Sequence, residues 1–265
     1  MWQELGKNIS YIAILIPISL REVMLNRSAF WAMNIFMFIQ NIILFLVWVI
    51  YFSNFSSLKG WQLGDVATLN GIAAFAYGLA FLFCGGALEV GRTIAGGELD
   101  IYLGRPRSPV IGLLFREPRV SGFGDILTGP ALWFWFGNYT FIEFCALFLM
   151  GLCAAVILLA TALIINCLVF FAPQGKSATD QLLESFIMIA IYPQNGFSIG
   201  VKVLLLTLIP AGFIAYFPIN AVRSFDILQM MMMGGAAIFY MGLALVIFNL
   251  GLRRYTSGNK MLNVK

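Results

Sequence analysis

Catalysis needs a nucleophile, a base or a ligand set at fixed spacing, and this chain offers few of these. It contains no histidine, the commonest general base and metal ligand. Gly175-Lys176-Ser177 ends like a phosphate-binding loop. The GxxxxGK[ST] pattern, however, requires glycine where Phe170 stands, and the preceding residues read as a membrane helix rather than a strand. Cys84, Cys145, Cys153 and Cys167 each lie in an uncharged apolar stretch without CxxC spacing, which suits packing residues better than zinc or a disulfide. N-x-[ST] triplets at Asn8, Asn26, Asn54 and Asn138 are too common a pattern to carry meaning here. No residue of this chain is therefore assigned a catalytic, cofactor-binding or metal-binding role.

Polar chemistry is concentrated in one loop, EVGRTIAGGELDIYLGRPRSPVIGLLFREPR, from Glu89 to Arg119, with eight charged side chains before Pro118. Gly96-Gly97 frees the chain, Glu98 to Gly104 is long enough for two helical turns, and Pro106 closes them. In that helix Leu99, Tyr102 and Leu103 share one face. So short a helix is marginal alone and must be held by the membrane surface or by a partner. Two readings stay open: a charged loop lying on lipid headgroups, or a docking element for a cytoplasmic protein.

The elements that must carry this loop are legible from composition. Of 265 residues, 61% are hydrophobic and 11% charged, against roughly 25% charged in soluble globular proteins. This excludes a soluble enzyme and a nucleic-acid reader and indicates an all-α integral membrane protein forming a single domain over residues 1–265. Runs of 31, 23, 32 and 26 uncharged residues separate Arg27 from Lys59, Asp65 from Glu89, Glu143 from Lys176 and Asp226 from Arg253. Each exceeds the ~20 residues that a membrane-spanning helix requires. Asp125 and Glu143 bracket a weaker run of 17, interrupted by Pro130, which is taken as a short span.

Between Ser185 and Val222 only Lys202 is charged, and Pro193, Pro210 and Pro218 divide the stretch. One span over about 177–192 and a re-entrant helical hairpin over about 197–217, between spans five and six, fit best. Six crossings put both termini on one side together with 13 of the 16 basic residues, which makes that side cytoplasmic. A seventh crossing would place the basic tail from Arg253 to Lys265 outside. Trp31, Trp48, Tyr51 and Trp61 suit interfacial positions. Residues 2–20 hold Trp2, Leu5, Ile9, Ile12 and Ile16 at helical spacing but only 13 uncharged residues between Lys7 and Arg21, so they are expected as an interfacial helix broken or bent near Pro17. No cleaved signal peptide is read at the N-terminus.

GGELDIYLGRP resembles a signature of permease subunits of type-2 ATP-binding-cassette exporters, in particular a viologen-exporter-like branch. IYPQNGFSIGVKVLLLTLIPAGFIAYFP, from Ile191 to Pro218, and GLRRYTSG, from Gly251 to Gly258, resemble the same branch. The resemblance implies six spans in a bacterial inner membrane, a second permease chain, identical or related, and separate cytoplasmic ATPase subunits that bind ATP and Mg. It implies that Glu98, Leu99, Asp100, Tyr102, Arg105 and Pro106 belong to a coupling helix seated in the ATPase, with the surface helix as a second contact. It further implies a gate on the exterior side at Pro193, Pro210 and Pro218. Export of a hydrophobic or amphipathic substrate by alternating access is the activity that follows.

A secondary transporter without an ATPase is the main rival, and it calls for ionisable residues deep in the bundle or an inverted repeat. Neither is evident in the sequence. Asn34, Gln40, Asn41 and Asn166 are polar residues within spans, read as helix-to-helix hydrogen-bonding groups with path-lining as the alternative. Glu143, Glu184 and Asp226 fall near span ends, where carboxylates reach water. Met230 to Met233 with Phe239 and Tyr240 form either a pliable surface for an apolar substrate or lipid-facing filler.

Overall fold

The uncharged runs become long helices because a backbone in hydrocarbon must satisfy its own hydrogen bonds. In a computed structural model, residues 10–18, 21, 24–58, 60–105, 108–192, 200, 210–214 and 216–256 are described. Residues 10–18 form α1. There follow α2 (Arg27–Asn54), α3 (Leu63–Cys84), α4 (Val90–Ala95), α5 (Asp100–Leu103), α6 (Pro109–Leu114), α7 (Gly122–Phe136), α8 (Phe141–Cys167) and α9 (Lys176–Ala190). The chain continues through α10 (Ala211–Ile214), α11 (Tyr216–Arg223) and α12 (Ile227–Leu252). Among the described residues no strand is present. Also among the described residues, four helical stretches are long and apolar enough to cross a membrane: Arg27–Asn54, Leu63–Ala95, Phe141–Phe170 and Ile227–Leu252.

Polar residues fix where the long helices begin, by accepting amides that have no partner in the first turn. Asn26 accepts from the N–H of Ala29 at 3.2 Å, and Asp226 from those of Leu228 and Gln229 at 2.9 and 3.3 Å. Thr140 and Glu143 form a reciprocal capping box at the start of α8.

The centre of the bundle is the antiparallel pair α3 and α7, the most extensive helix contact, with α8 packed against α3 and α12 against α8. Glycines at 64, 71 and 78 of α3 recur every seven residues and meet α7 at Phe136, Gly129 and Gly122. A Cβ on Gly78 would lie 2.5 Å from the Gly122 carbonyl oxygen, and one on Gly129 would lie 2.8 Å from that of Gly71. Without side chains at these levels the two backbones touch, which is how helices gain dispersion energy where lipid removes the hydrophobic drive. Trp133 fills the gap beside this seam, fully buried, and donates its indole N–H to the Thr68 carbonyl at 3.3 Å.

The structure departs from the sequence reading in α7. Asp125, taken as the boundary of the weak span, lies inside α7 and is 2% exposed, because α2 supplies it with a hydrogen-bond donor. Trp61, just before α3, is buried and stacked on Tyr216, with ring centroids 6.0 Å apart. Residues 10–18, which include Pro17, are helical. The re-entrant segment falls largely outside the described residues, as do Pro193 and Pro106. Its described end, α10, and α11 after it seat buried Pro210 and Pro218 near the start of α3, where Arg223 forms an ion pair with Asp65.

Candidate functional site

The charged loop folds back against the ends of α3 and α8 and shares their core. α4 ends in a Schellman turn: Gly97 N–H bonds the Ile94 carbonyl at 3.1 Å and Glu98 N–H bonds the Thr93 carbonyl at 3.0 Å. The turn needs the left-handed backbone that Gly97 adopts at φ +71°, where a side chain would be strained. The chain then makes α5, one helical turn rather than two, and reverses into α6, whose N1 residue is Pro109.

α5 does not present the face expected from its spacing. Leu99 and Tyr102 are buried in the main hydrophobic core, while Leu103 is 43% and Ile101 60% exposed. The reversal into α6 places protein on the side of α5 that carries Leu99 and Tyr102, so these two anchor the turn and Ile101 and Leu103 face outward. Ile101 was not singled out by the sequence reading. Its position beside the charged residues at the tip was visible, but which face packs inward depends on where α6 lies.

Arg116 is the hub of the polar network. It donates to the Glu117 carboxylate at 2.7 Å, to the Thr93 hydroxyl at 3.1 Å and to the Tyr102 hydroxyl at 3.3 Å, and stands 4.0 Å from Glu98. Desolvation opposes its charge, but the hydrogen bonds to Glu117 and Tyr102 outweigh that and hold its pKa above the usual guanidinium value. Glu89 bridges Arg92 at 3.1 Å and Arg119 at 3.2 Å, tying the start of the loop to its end. Arg105 lies over the Tyr102 ring, 5.1 Å from its centroid, and donates to the Tyr11 hydroxyl of α1 at 3.4 Å. The surface helix and the loop therefore meet. At the far end of the chain, Tyr255 is close enough to Asp100 to feel its charge; desolvation first, then that carboxylate, raises the phenol's pKa. The segments around GGELDIYLGRP and GLRRYTSG thus come together in space.

Of the six loop residues singled out from sequence, Glu98, Asp100 and Arg105 sit at the tip and Leu99 and Tyr102 lie beneath it. Pro106 is outside the described residues. Around the exposed apolar pair Ile101 and Leu103 stand Glu98, Arg105 and other charged side chains, a composition suited to protein docking.

A second polar region lies within the bundle. A cavity of about 880 Å³ opens between α2, α3, α7 and α9, lined by Gln40, Asn41, Asn70, Asp125 and Glu184 among mostly apolar neighbours. Asn41 donates to Asp125 Oδ1 at 2.7 Å and to the Thr128 hydroxyl at 3.3 Å. One turn-pair earlier, Asn34 accepts the Gly124 amide at 2.9 Å. Asn34 thus joins helices, whereas Asn41 joins them and also lines the cavity. Among the described residues no cluster of metal-ligating side chains occurs.

A family model described as "ABC-2 family transporter protein" matches residues 38–259. No curated protein and no solved structure matches the chain.

Proposed function

Because the chain belongs to the ABC-2 family of transporter proteins and is thus an integral membrane permease of an ABC transporter, we propose that it exports a hydrophobic or amphipathic substrate and is driven by separate ATPase subunits docked on the loop of residues 89–119. One observation carries this reading: the loop exposes Ile101 and Leu103 at its tip while Leu99 and Tyr102 root that tip in the same core as α3 and α8. A contact so rooted moves with the spans, as a lever requires.

In this reading Glu98, Asp100, Arg105 and Pro106 join the exposed pair at the ATPase surface, and α1 adds a second contact. ATP and Mg are held by the ATPase, and the permease makes no covalent chemistry. Approach of two ATPase subunits shifts two permease chains, identical or related, between packings that open the path to one side or the other. Both termini are cytoplasmic in a bacterial inner membrane, with six crossings in one domain. Two features support the six-pass topology. α9 starts beside α4 and ends where Tyr192 meets Trp48 near the far end of α2, with ring centroids 6.2 Å apart. α10 and α11 join the start of α3 at that same end. Pro193, Pro210 and Pro218 would then mark a gate on the exterior side. The viologen-exporter-like branch is the finer placement.

Asp125 supplies the deep ionisable residue that a secondary transporter calls for, but family membership sets the chain among ATP-driven permeases. The test is a mild-detergent pull-down from the native cells, with bound proteins identified and ATP hydrolysis assayed. A stoichiometric ATPase, lost when residues 98–105 are scrambled, is expected. A chain that purifies alone overturns the reading.

A further inference from the structure

We propose that the intramembrane cavity binds a protonated amine bearing an apolar body, with Asp125 as the residue that recognises its N–H group. This assignment rests on the transporter reading and names the substrate chemistry of the same permease. Asp125 is 2% exposed, on the cavity wall, and only half satisfied: Oδ1 accepts from Asn41, whereas Oδ2 has no hydrogen-bond partner. Among the described residues no arginine or lysine pairs with it.

An uncompensated buried carboxylate is costly, and an orphaned acceptor adds to that cost. A ligand that brings both a positive charge and a donor relieves both at once. An amine N–H⁺ does so; a quaternary ammonium brings charge without a donor, and an alcohol brings a donor without charge. The remaining wall sets the rest of the ligand. Met37, Leu44, Leu132, Leu158 and Met188 present apolar, deformable surface, and the volume of about 880 Å³ lies in the range of small-molecule sites. Tyr77 and Glu184 add an aromatic ring and a second acidic group to the lining. A single buried carboxylate with amide neighbours is a poor cage for a metal ion, which takes six or more oxygen ligands when it is hard.

The same chemistry could come from a free amphiphilic amine or from an aminolipid headgroup. Both are tested with the full chain in nanodiscs of phosphatidylcholine, whose headgroup has no N–H. The probes are radiolabelled dodecylamine, dodecyltrimethylammonium and dodecanol. Saturable binding of dodecylamine, at least tenfold tighter than dodecanol and several-fold tighter than the quaternary compound, is expected. Asp125→Asn should weaken the amine about tenfold, the size of one charge-assisted hydrogen bond, and leave dodecanol unchanged. Replacing phosphatidylcholine with phosphatidylethanolamine should lower dodecylamine occupancy if the aminolipid is the source and leave it unchanged if a free amphiphile is; either result sustains the amine site. No saturable amine binding, equal binding of the three probes, or equal affinity in Asp125→Asn overturns it. If Asp125→Asn does not fold, the three-probe series on the unaltered chain decides alone. Because this series needs no ATPase, its failure beside a co-purifying ATPase refutes the amine site and leaves the transporter reading standing.

Discussion

Asn166 of α8 accepts the backbone N–H of Gly91 at 3.1 Å, across 75 positions of chain, and donates to the Ala87 carbonyl at 3.3 Å. One amide side chain thereby clasps the segment through which α3 passes into the charged loop. Replacing Asn166 with Leu leaves a buried amide and a buried carbonyl unpaired, a loss of about 1–3 kcal/mol. Gly91→Ala attacks the same joint from the other side, since its Cβ would fall 2.6 Å from Asn166 Oδ1. Both variants should melt earlier in detergent than the unaltered chain. They should also lose coupled ATP hydrolysis out of proportion to that instability, measured on protein still folded by size-exclusion chromatography.

Leu99 and Ile101 are two residues apart and should fail differently. Leu99 is fully buried, so Leu99→Ala should cost about 2–5 kcal/mol of stability through the cavity it leaves. Ile101 is 60% exposed, so Ile101→Ala should leave the melting temperature within a degree or two and weaken retention of the ATPase in a pull-down. Equal ATPase retention by Ile101→Ala and the unaltered chain would place the docking surface elsewhere.

Glu98→Ala combined with Arg105→Ala removes two exposed charges from the tip, and with them the contacts of Arg105 to the Tyr102 ring and the Tyr11 hydroxyl, while no buried side chain is replaced. Transport and stimulation of ATP hydrolysis should fall while membrane insertion and yield hold steady. Stimulation at the unaltered level would count against the lever. The pairing of Glu98 with Arg116 at 4.0 Å is exposed enough to contribute little to folding.

The seam between α3 and α7 predicts a contrast between two glycines in membrane helices. Gly78→Ala forces apart backbones that approach within contact distance and should lower the melting temperature sharply or prevent folded protein from accumulating. Gly242 of α12 has open space around it, so Gly242→Ala should be neutral or slightly stabilising through helix propensity. Thermal unfolding of the two variants side by side, monitored by intrinsic fluorescence, checks both arms.

Much of this architecture is written along the chain. Charge spacing alone locates α2, α3, α8 and α12, because the cost of a charge in hydrocarbon is paid residue by residue and needs no neighbour to be known. Gly96-Gly97 likewise announces the turn after α4, since the left-handed backbone is a local requirement. The glycine period of seven on α3 was also present to be read, although its partner helix was not. Asp125 looked like a span boundary for the same reason that the other charges did, and only Asn41, 84 positions away, makes it an interior group. Leu99, Tyr102 and Leu103 share a helical face by spacing, yet α6 covers two of them and leaves Leu103 with Ile101 outside. Hydropathy and local backbone preference are properties of single positions, so the sequence by itself determined the spans and the turns. Burial, pairing and exposure depend on which element stands opposite, and that was decided only when the helices packed.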